Sequence, residues 1–256
     1  MSESLLIRSE GRLRRLTLNR PERRNALDMA LCRSLVQAVA EAASDSAVGA
    51  LLLDASGKDF CAGMDLKEVL EAKPSELLTL HRELFSFGSR LRKPVVAAVH
   101  GAALGGGLGL VLNAHVVIAR SDARFGLTET RIGLWPYVIF PVVAAATGAR
   151  KATELALTAR VVEADEARRI GIVDLIVEPE KLSEEARRIA LDMADGSAEA
   201  IGDGLAFVQQ VRGLEPEATV KAAVAFRERS LSSADFREGV LAFREKRNPV
   251  WPSHKS

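Results

Sequence analysis

The chain has 256 residues, 48% hydrophobic and 27% charged, enough for a large core yet short enough for one main domain. Its 35 Lys and Arg against 34 Asp and Glu leave no excess of either sign, which argues against nucleic acid or anionic lipid and favours a small-molecule partner. Cys32 and Cys61 make no CxxC or Cys/His cluster of metal-ligand spacing, the N-terminus carries no basic and apolar leader, and no run reaches about 18 apolar residues; buried free thiols, no metal and a cytoplasmic protein are expected.

In chain order, Leu5–Arg8 and Arg12–Leu18 alternate apolar and polar residues around Gly11 as a hairpin does, and Pro21 ends the second segment. Asp28 is placed to cap a helix over Met29–Ala43, whose Leu31, Leu35, Val36 and Val39 recur at three- and four-residue spacing and form one core face. Val48–Asp54 and Pro94–His100 are short apolar runs followed by glycine, the pattern of strands buried on both faces, and each leads into a helix. Further strands are predicted at Val116–Ala119 and Ile172–Val177. The architecture reads as α/β. After about residue 180 only helical patterns remain, at Glu184–Ala194, Glu199–Val211, Glu217–Arg229 and Asp235–Lys246, with Pro252–Ser256 expected to fray. This divides the chain into a core, residues 1–195, and a helical C-terminal segment, residues 196–256. No solenoid repeat or low-complexity linker interrupts it.

Two glycine-rich turns could carry chemistry. The segment from Asp59 to Glu68, DFCAGMDLKE, follows a buried strand and opens a helix, with Asp65 and Glu68 spaced as an acidic cap and its reciprocal partner. Ala62 and Gly63 let a ligand approach the backbone, and the Met64 N–H, in a first helical turn, is free to meet an oxyanion. Such a turn taken alone is more often structural. A second, GAALGGGLGL from Gly101 to Leu110, has three successive glycines, each costing a helix about 1 kcal/mol relative to alanine, so close packing or a ligand must offset them. It does not match the GxGxxG of dinucleotide-binding proteins, and the acid expected about 20 residues later is lacking. Two backbone N–H groups from two helix starts are what holds a thioester carbonyl as its oxygen becomes negative.

FCAGMDLKE, followed some way on by AAVHGAALGGGLGL, resembles the double signature of the enoyl-CoA hydratase/isomerase (crotonase) family. Asn19 to Leu27 (NRPERRNAL), Phe125 to Glu129 (FGLTE), Leu157-Thr158 with Ala164 to Gly171, and Ala242 to Arg247 (AFREKR) extend the likeness over nearly the whole chain. The resemblance implies a crotonase-like spiral of ββα units with a helical C-terminal segment serving oligomerisation and as a lid, usually in trimers or pairs of trimers. It implies coenzyme A as part of the substrate and no permanently bound cofactor. By position, the oxyanion donors fall on the Met64 and Gly106 amides, and Arg24, Ala62, Asp65, Leu66 and Lys67 lie along the CoA path. Phe243 and Lys246 reach the nucleotide end, as in relatives that borrow the last helix of a neighbouring subunit.

Family hydratases place two glutamates across the substrate, one for each proton moved. Here the first position holds Gly109, and only the second is kept, as Glu129. One carboxylate that removes and returns a proton suits double-bond isomerisation better than hydration. Gly109 either makes room for a bulkier substrate or records lost hydration. Leu134 and Trp135, if packed over Glu129, would raise its pKa. The stretch Gly133 to Pro141, with Trp135 and Tyr137, should line the acyl pocket. His81, His100, His115 and His254 read as structural. Decarboxylation or thioester hydrolysis on the same fold, and a non-catalytic CoA-binding scaffold, stay open; RNA binding lacks a basic stripe.

Overall fold

The computed structural model describes residues 3–71 and 73–254. The alternation around Gly11 is a hairpin: β1 (Leu5–Glu10) pairs antiparallel with β2 (Leu13–Leu18), Leu5 opposite Leu18. The Asp28 carboxylate accepts a hydrogen bond from the Leu31 N–H at 2.7 Å and opens α1 (Met29–Ser44), which turns Leu31, Leu35, Ala38 and Val39 inward. β3 (Ala50–Ala55) then runs parallel to β2, and after α2 (Leu66–Val69) and α3 (Pro74–Leu84) the chain returns as β4 (Val95–Val99), parallel to β3.

From there two strands are laid down per turn. β4 continues into β5 (Ala102–Leu104) and α4 (Gly106–Val111), and β6 (Val116–Arg120) into β7 (Arg124–Gly126). α5 (Phe140–Thr147), α6 (Ala149–Thr158), β8 (Val161–Glu163), α7 (Ala164–Arg169), β9 (Leu175–Val177) and α8 (Leu182–Ala194) complete the core. Six strands form one sheet in the order β1-β2-β3-β4-β6-β9, and β5-β7-β8 form a second. From β4 to β7 successive strands alternate between the two sheets, as the expected ββα spiral requires.

The middle strands of the first sheet, β3, β4 and β6, are covered on both faces and read as nearly continuous apolar runs, whereas the β1–β2 hairpin at its edge alternates. Leu51, Leu53, Val95, Ala97 and Val99 point into the larger core with α1, while Ala50, Leu52, Val96, Ala98 and Ile118 meet Leu182, Ala186 and Ala190 of α8. α9 (Ala198–Gln210), α10 (Pro216–Ser232) and α11 (Ala234–Glu245) follow, and α10 buries no residue. The predicted fraying stops short of the residues seen: Ser253 donates from its backbone N–H to Asp235 Oδ1 at 2.9 Å, Trp251 Nε1 donates to the Asp195 carbonyl at 2.8 Å, and Pro252–His254 form a 3₁₀ turn. Residues 255–256 lie outside the described residues.

Asn25 ties the start of the spiral to its first functional turn. It is fully buried with φ +53°, accepts from the Arg20 N–H at 2.8 Å, and donates to the carbonyls of Ser56 (2.8 Å) and Asp59 (2.9 Å). Asn25→Ala strands all three backbone groups and puts a Cβ-bearing residue without side-chain compensation in the left-handed region. Urea unfolding is expected to register a loss of about 3 kcal/mol.

Candidate active site

The two glycine-rich turns run side by side at backbone distance. The Cys61 N–H donates to the Ala102 carbonyl at 2.9 Å, and the Leu104 N–H donates to the Cys61 carbonyl at 3.0 Å. Glycine is required where they touch. A Cβ on Gly107 would lie 2.4 Å from the Cys61 oxygen; one on Gly63, at φ +100°, would lie 3.0 Å from the Leu104 oxygen and 3.7 Å from the Gly106 nitrogen. The NRPERRNAL segment clamps the first turn from outside. The Ala62 N–H donates to the Arg24 carbonyl (3.0 Å), Leu27 N–H to Gly63 (2.8 Å) and Asp65 N–H to Leu27 (3.0 Å). Arg24 Nε donates to Asp59 Oδ2 at 2.7 Å, and Asp59 Oδ1 accepts from the Ala102 N–H at 2.9 Å. Burial opposes ionisation of Asp59, but those two hydrogen bonds outweigh it and hold its carboxyl below the usual range.

The predicted capping pair is not formed. Asp65 makes no side-chain cap and instead pairs with Arg20 at 3.3 Å; Glu68 accepts from the Met29 N–H at 2.8 Å, at the start of α1. Arg20 also reaches Asp28, so its guanidinium is engaged by two carboxylates and the longer-range partners win over the local cap.

Among the described residues neither the Met64 nor the Gly106 amide N–H has a hydrogen-bond acceptor. Glu129 stands beside them. Gly105, at φ +52°, donates to the Gly126 carbonyl at 2.8 Å, and a Cβ on it would lie 2.9 Å from Glu129 Oε1. Glu129 is 8% exposed and its Oε2 is buried with no partner. Burial pushes its carboxyl above the ordinary range, opposed by the backbone amides of Glu129 and Thr128. Met64, Gly106 and Glu129 line one cavity of about 260 Å³, walled by Leu77, Leu78, Phe85, Leu134, Trp135, Tyr137 and Ile139. Trp135 is half-buried and Tyr137 mostly exposed at this wall.

Gly109 opens no space to this cavity. It is fully buried, and a Cβ there would lie 2.4 Å from Ile139 Cγ2 and 3.0 Å from Phe85 Cδ1, so the room of the absent acid is already filled by apolar side chains. Leu66 and Lys67 are exposed on α2, and Arg24 is exposed beside the clamped turn. Phe243 (85% exposed) and Lys246 do not join them within one chain. Phe243 instead borders a groove between α9 and α11 with Trp251 and Asp235.

The buried thiols are unsuited to nucleophilic work, burial pushing both Cys32 and Cys61 up to about 12. Three histidines have structural partners: His100 with the Gly57 carbonyl, His115 accepting from the Val95 N–H, and His254 with the Gly196 carbonyl. His81 does not. It and Phe85, neither of which the sequence marked as functional, line the cavity with Glu129. Among the described residues no group of three or more His, Cys, Asp or Glu gathers as a metal site, and no helix is long and apolar enough to cross a membrane.

Met64 lies before Asp65, the N-cap of α2, so its N–H stands outside the first helical turn in which the sequence put it, whereas Gly106 opens α4. A two-sheet ββα spiral whose two glycine-rich turns meet beside a buried carboxylate defines a crotonase-type molecule. The family model for enoyl-CoA hydratase/isomerase matches residues 8–254, and the chain belongs to that family. It is 32% identical over 253 residues to the short-chain-enoyl-CoA hydratase of Clostridium acetobutylicum, covering 95% of each chain. The crystal structure of an enoyl-CoA hydratase from Mycobacterium smegmatis superposes with a TM-score of 0.91 at 32% identity, covering 98% of this chain and 99% of that one. One from Bacillus anthracis superposes equally well, TM-score 0.91, at 27% identity over the same shares.

Two outcomes are expected. Because the folded state keeps the Glu129 proton above the ordinary 4.5, it binds more protons than the unfolded chain once pH passes that value, and stability falls from there up to the raised pKa. Glu129→Gln should therefore unfold at higher temperature than wild type at neutral pH, the difference vanishing toward about pH 4 in a melting series. Gly109→Ala should lose about 1–3 kcal/mol by overpacking against Ile139, and Ile139→Ala in the same chain should relieve that clash, as measured by a double-mutant cycle of denaturant midpoints.

Proposed function

We propose that this protein binds an acyl-CoA thioester, stabilises the enolate derived from it with the Met64 and Gly106 amides, and migrates a carbon–carbon double bond using Glu129 as the one carboxylate acid/base. The observation that carries this reading is the Glu129 carboxylate, packed over Gly105 next to Gly106 in an otherwise largely apolar cavity with one oxygen unpartnered. A carboxylate whose proton affinity is raised by burial is the better base toward a weakly acidic C–H.

With a 3-enoyl ester, Glu129 takes a proton from C2. The electron pair left behind delocalises onto the thioester oxygen, where two N–H donors meet the charge. The same carboxyl returns the proton at C4, the carbonyl re-forms, and a 2-enoyl ester leaves. CoA is carried in with the substrate and no resident cofactor takes part. Arg24, Ala62, Asp65, Leu66 and Lys67 hold its length beside the clamped turn, while Trp135 and Tyr137 bound the acyl chain.

The C-terminal segment, residues 196–256, supplies the assembly and the lid in this reading. α10 and α11 expose Val220, Val224, Leu231, Phe236, Leu241 and Phe243, an apolar surface suited to neighbouring copies in a homotrimer or a pair of trimers. Phe243 and Lys246 then serve the nucleotide end of a neighbour's CoA. We place the enzyme in the cytoplasm.

The test is a panel of 2-enoyl-, 3-enoyl- and malonyl-type CoA esters given to the wild type and Glu129→Gln. Isomerisation of the 3-enoyl ester should fall by about 10²–10⁴-fold in the variant. Loss of carbon dioxide from the malonyl ester by both proteins would instead make this a decarboxylase relying on the oxyanion hole. Tight binding without turnover would leave a CoA-binding scaffold.

A further inference from the structure

Adding water to a double bond needs a second proton carrier besides the one that serves C2. Gly109, where the family pattern puts that acid, is closed by Ile139 and Phe85. Phe85 carries the same wall on to His81, one turn earlier on α3, with the two rings edge-to-face at 5.4 Å between centroids. His81 is 6% exposed and lines the cavity that contains Glu129. Among the described residues its ring has no hydrogen-bond partner, in contrast to the other three histidines. A desolvated imidazole facing a cavity without a partner is a polar group waiting for a ligand atom or a water. Burial also holds its pKa below the ordinary histidine range, so at neutral pH one ring nitrogen offers a lone pair. The other ionisable side chains of this cavity are Glu129 and Tyr137.

We propose that His81 holds the water of a hydration reaction and accepts its proton, taking the part of the absent second carboxylate, so that the site also hydrates 2-enoyl thioesters. This rests on the reading of Glu129 above and extends it. The water oxygen bonds to C3 as one of its O–H bonds breaks, that proton passing to the free nitrogen of His81. The C2–C3 π pair shifts toward the thioester, whose oxygen becomes the enolate held at the Met64 and Gly106 amides. The carbonyl re-forms as C2 bonds the proton of the Glu129 carboxyl. The imidazolium then returns one proton to the Glu129 carboxylate through solvent, leaving a 3-hydroxyacyl ester and both side chains as they began.

The experiment follows two reactions in parallel: hydration of 2-enoyl-CoA esters of roughly four to ten carbons, and deuterium exchange at C2 of the matching saturated esters, which needs Glu129 but no water addition. His81→Phe keeps an aromatic ring against Phe85. Its hydration should fall by at least ~100-fold, and by far more than its exchange, while Glu129→Gln should lose both. Absence of hydration from the wild type, hydration surviving His81→Phe, or equal loss of hydration and exchange in that variant would each overturn the proposal. Exchange that is missing from the wild type or untouched by Glu129→Gln would overturn the Glu129 reading, and the second step of this one with it.

Discussion

The site depends on two peptide turns meeting with no side chain between them. Gly107 lies against the Cys61 carbonyl and Gly63 against the Leu104 carbonyl, so the starts of α2 and α4 are brought together as bare backbone. Any Cβ at these positions would clash with the facing carbonyl and push the turns apart. Three glycines in a row weaken a helix in isolation, and α4 has only Gly106–Val111 in which to recover. What offsets them is tertiary: every residue of α4 is buried, and the Asn25 and Arg24–Asp59 contacts fasten the first turn to the hairpin side and to Ala102. On the proposed reading the two amides are preorganised donors because the fold, rather than the local sequence, fixes the turns that carry them.

The same closeness sets the character of Glu129. Gly105 admits the carboxylate over the start of α4, and the chain then wraps Leu134, Trp135 and Ile139 around the cavity. Taking a carboxylate out of water without a full set of hydrogen bonds destabilises the folded state when it is charged. On the proposed reading that cost serves a chemistry that needs a proton held tightly and then given up.

Most of the large sheet was legible from the sequence because β1 to β4 and β6 are five- and six-residue runs with an apolar pattern, while its three-residue edge strand β9 showed only as the end of the longer Ile172–Val177 run; the four C-terminal helices were legible because their apolar periodicity extends over three or more turns. β5, β7 and β8 were not, since three residues cannot display a period. The misread features are those decided by distant partners. Glu68 looks like half of a local capping box but caps α1 across 39 residues, and the tail looks loose but is held by Asp235. For the site, the glycine turns and Glu129 could be read because their spacing is local and matches a family pattern. His81 and Phe85 could not, because their place in the cavity follows from how α3 packs, and a histidine in an amphipathic helix carries no mark of it.

Gly109 shows how such packing decides chemistry. Read as a sequence position, it is a missing acid, with the implication that something was vacated. In the fold nothing is vacated: Ile139, at the entry to α5, and Phe85, at the end of α3, occupy the volume that a carboxylate would need. An acid there would be forced against hydrocarbon, unable to keep its charge and unable to fit. On the proposed reading the apolar wall does two things at once: it leaves no room for a second acid at Gly109, and the burial it brings strengthens the hold of Glu129 on its proton. By the same reading a second polar group has to come from outside that packed corner, and α3 places His81, one turn before Phe85, in the lining of the same cavity. In that reading, the proton inventory of the site is set by which hydrocarbon side chains fill the space behind α4.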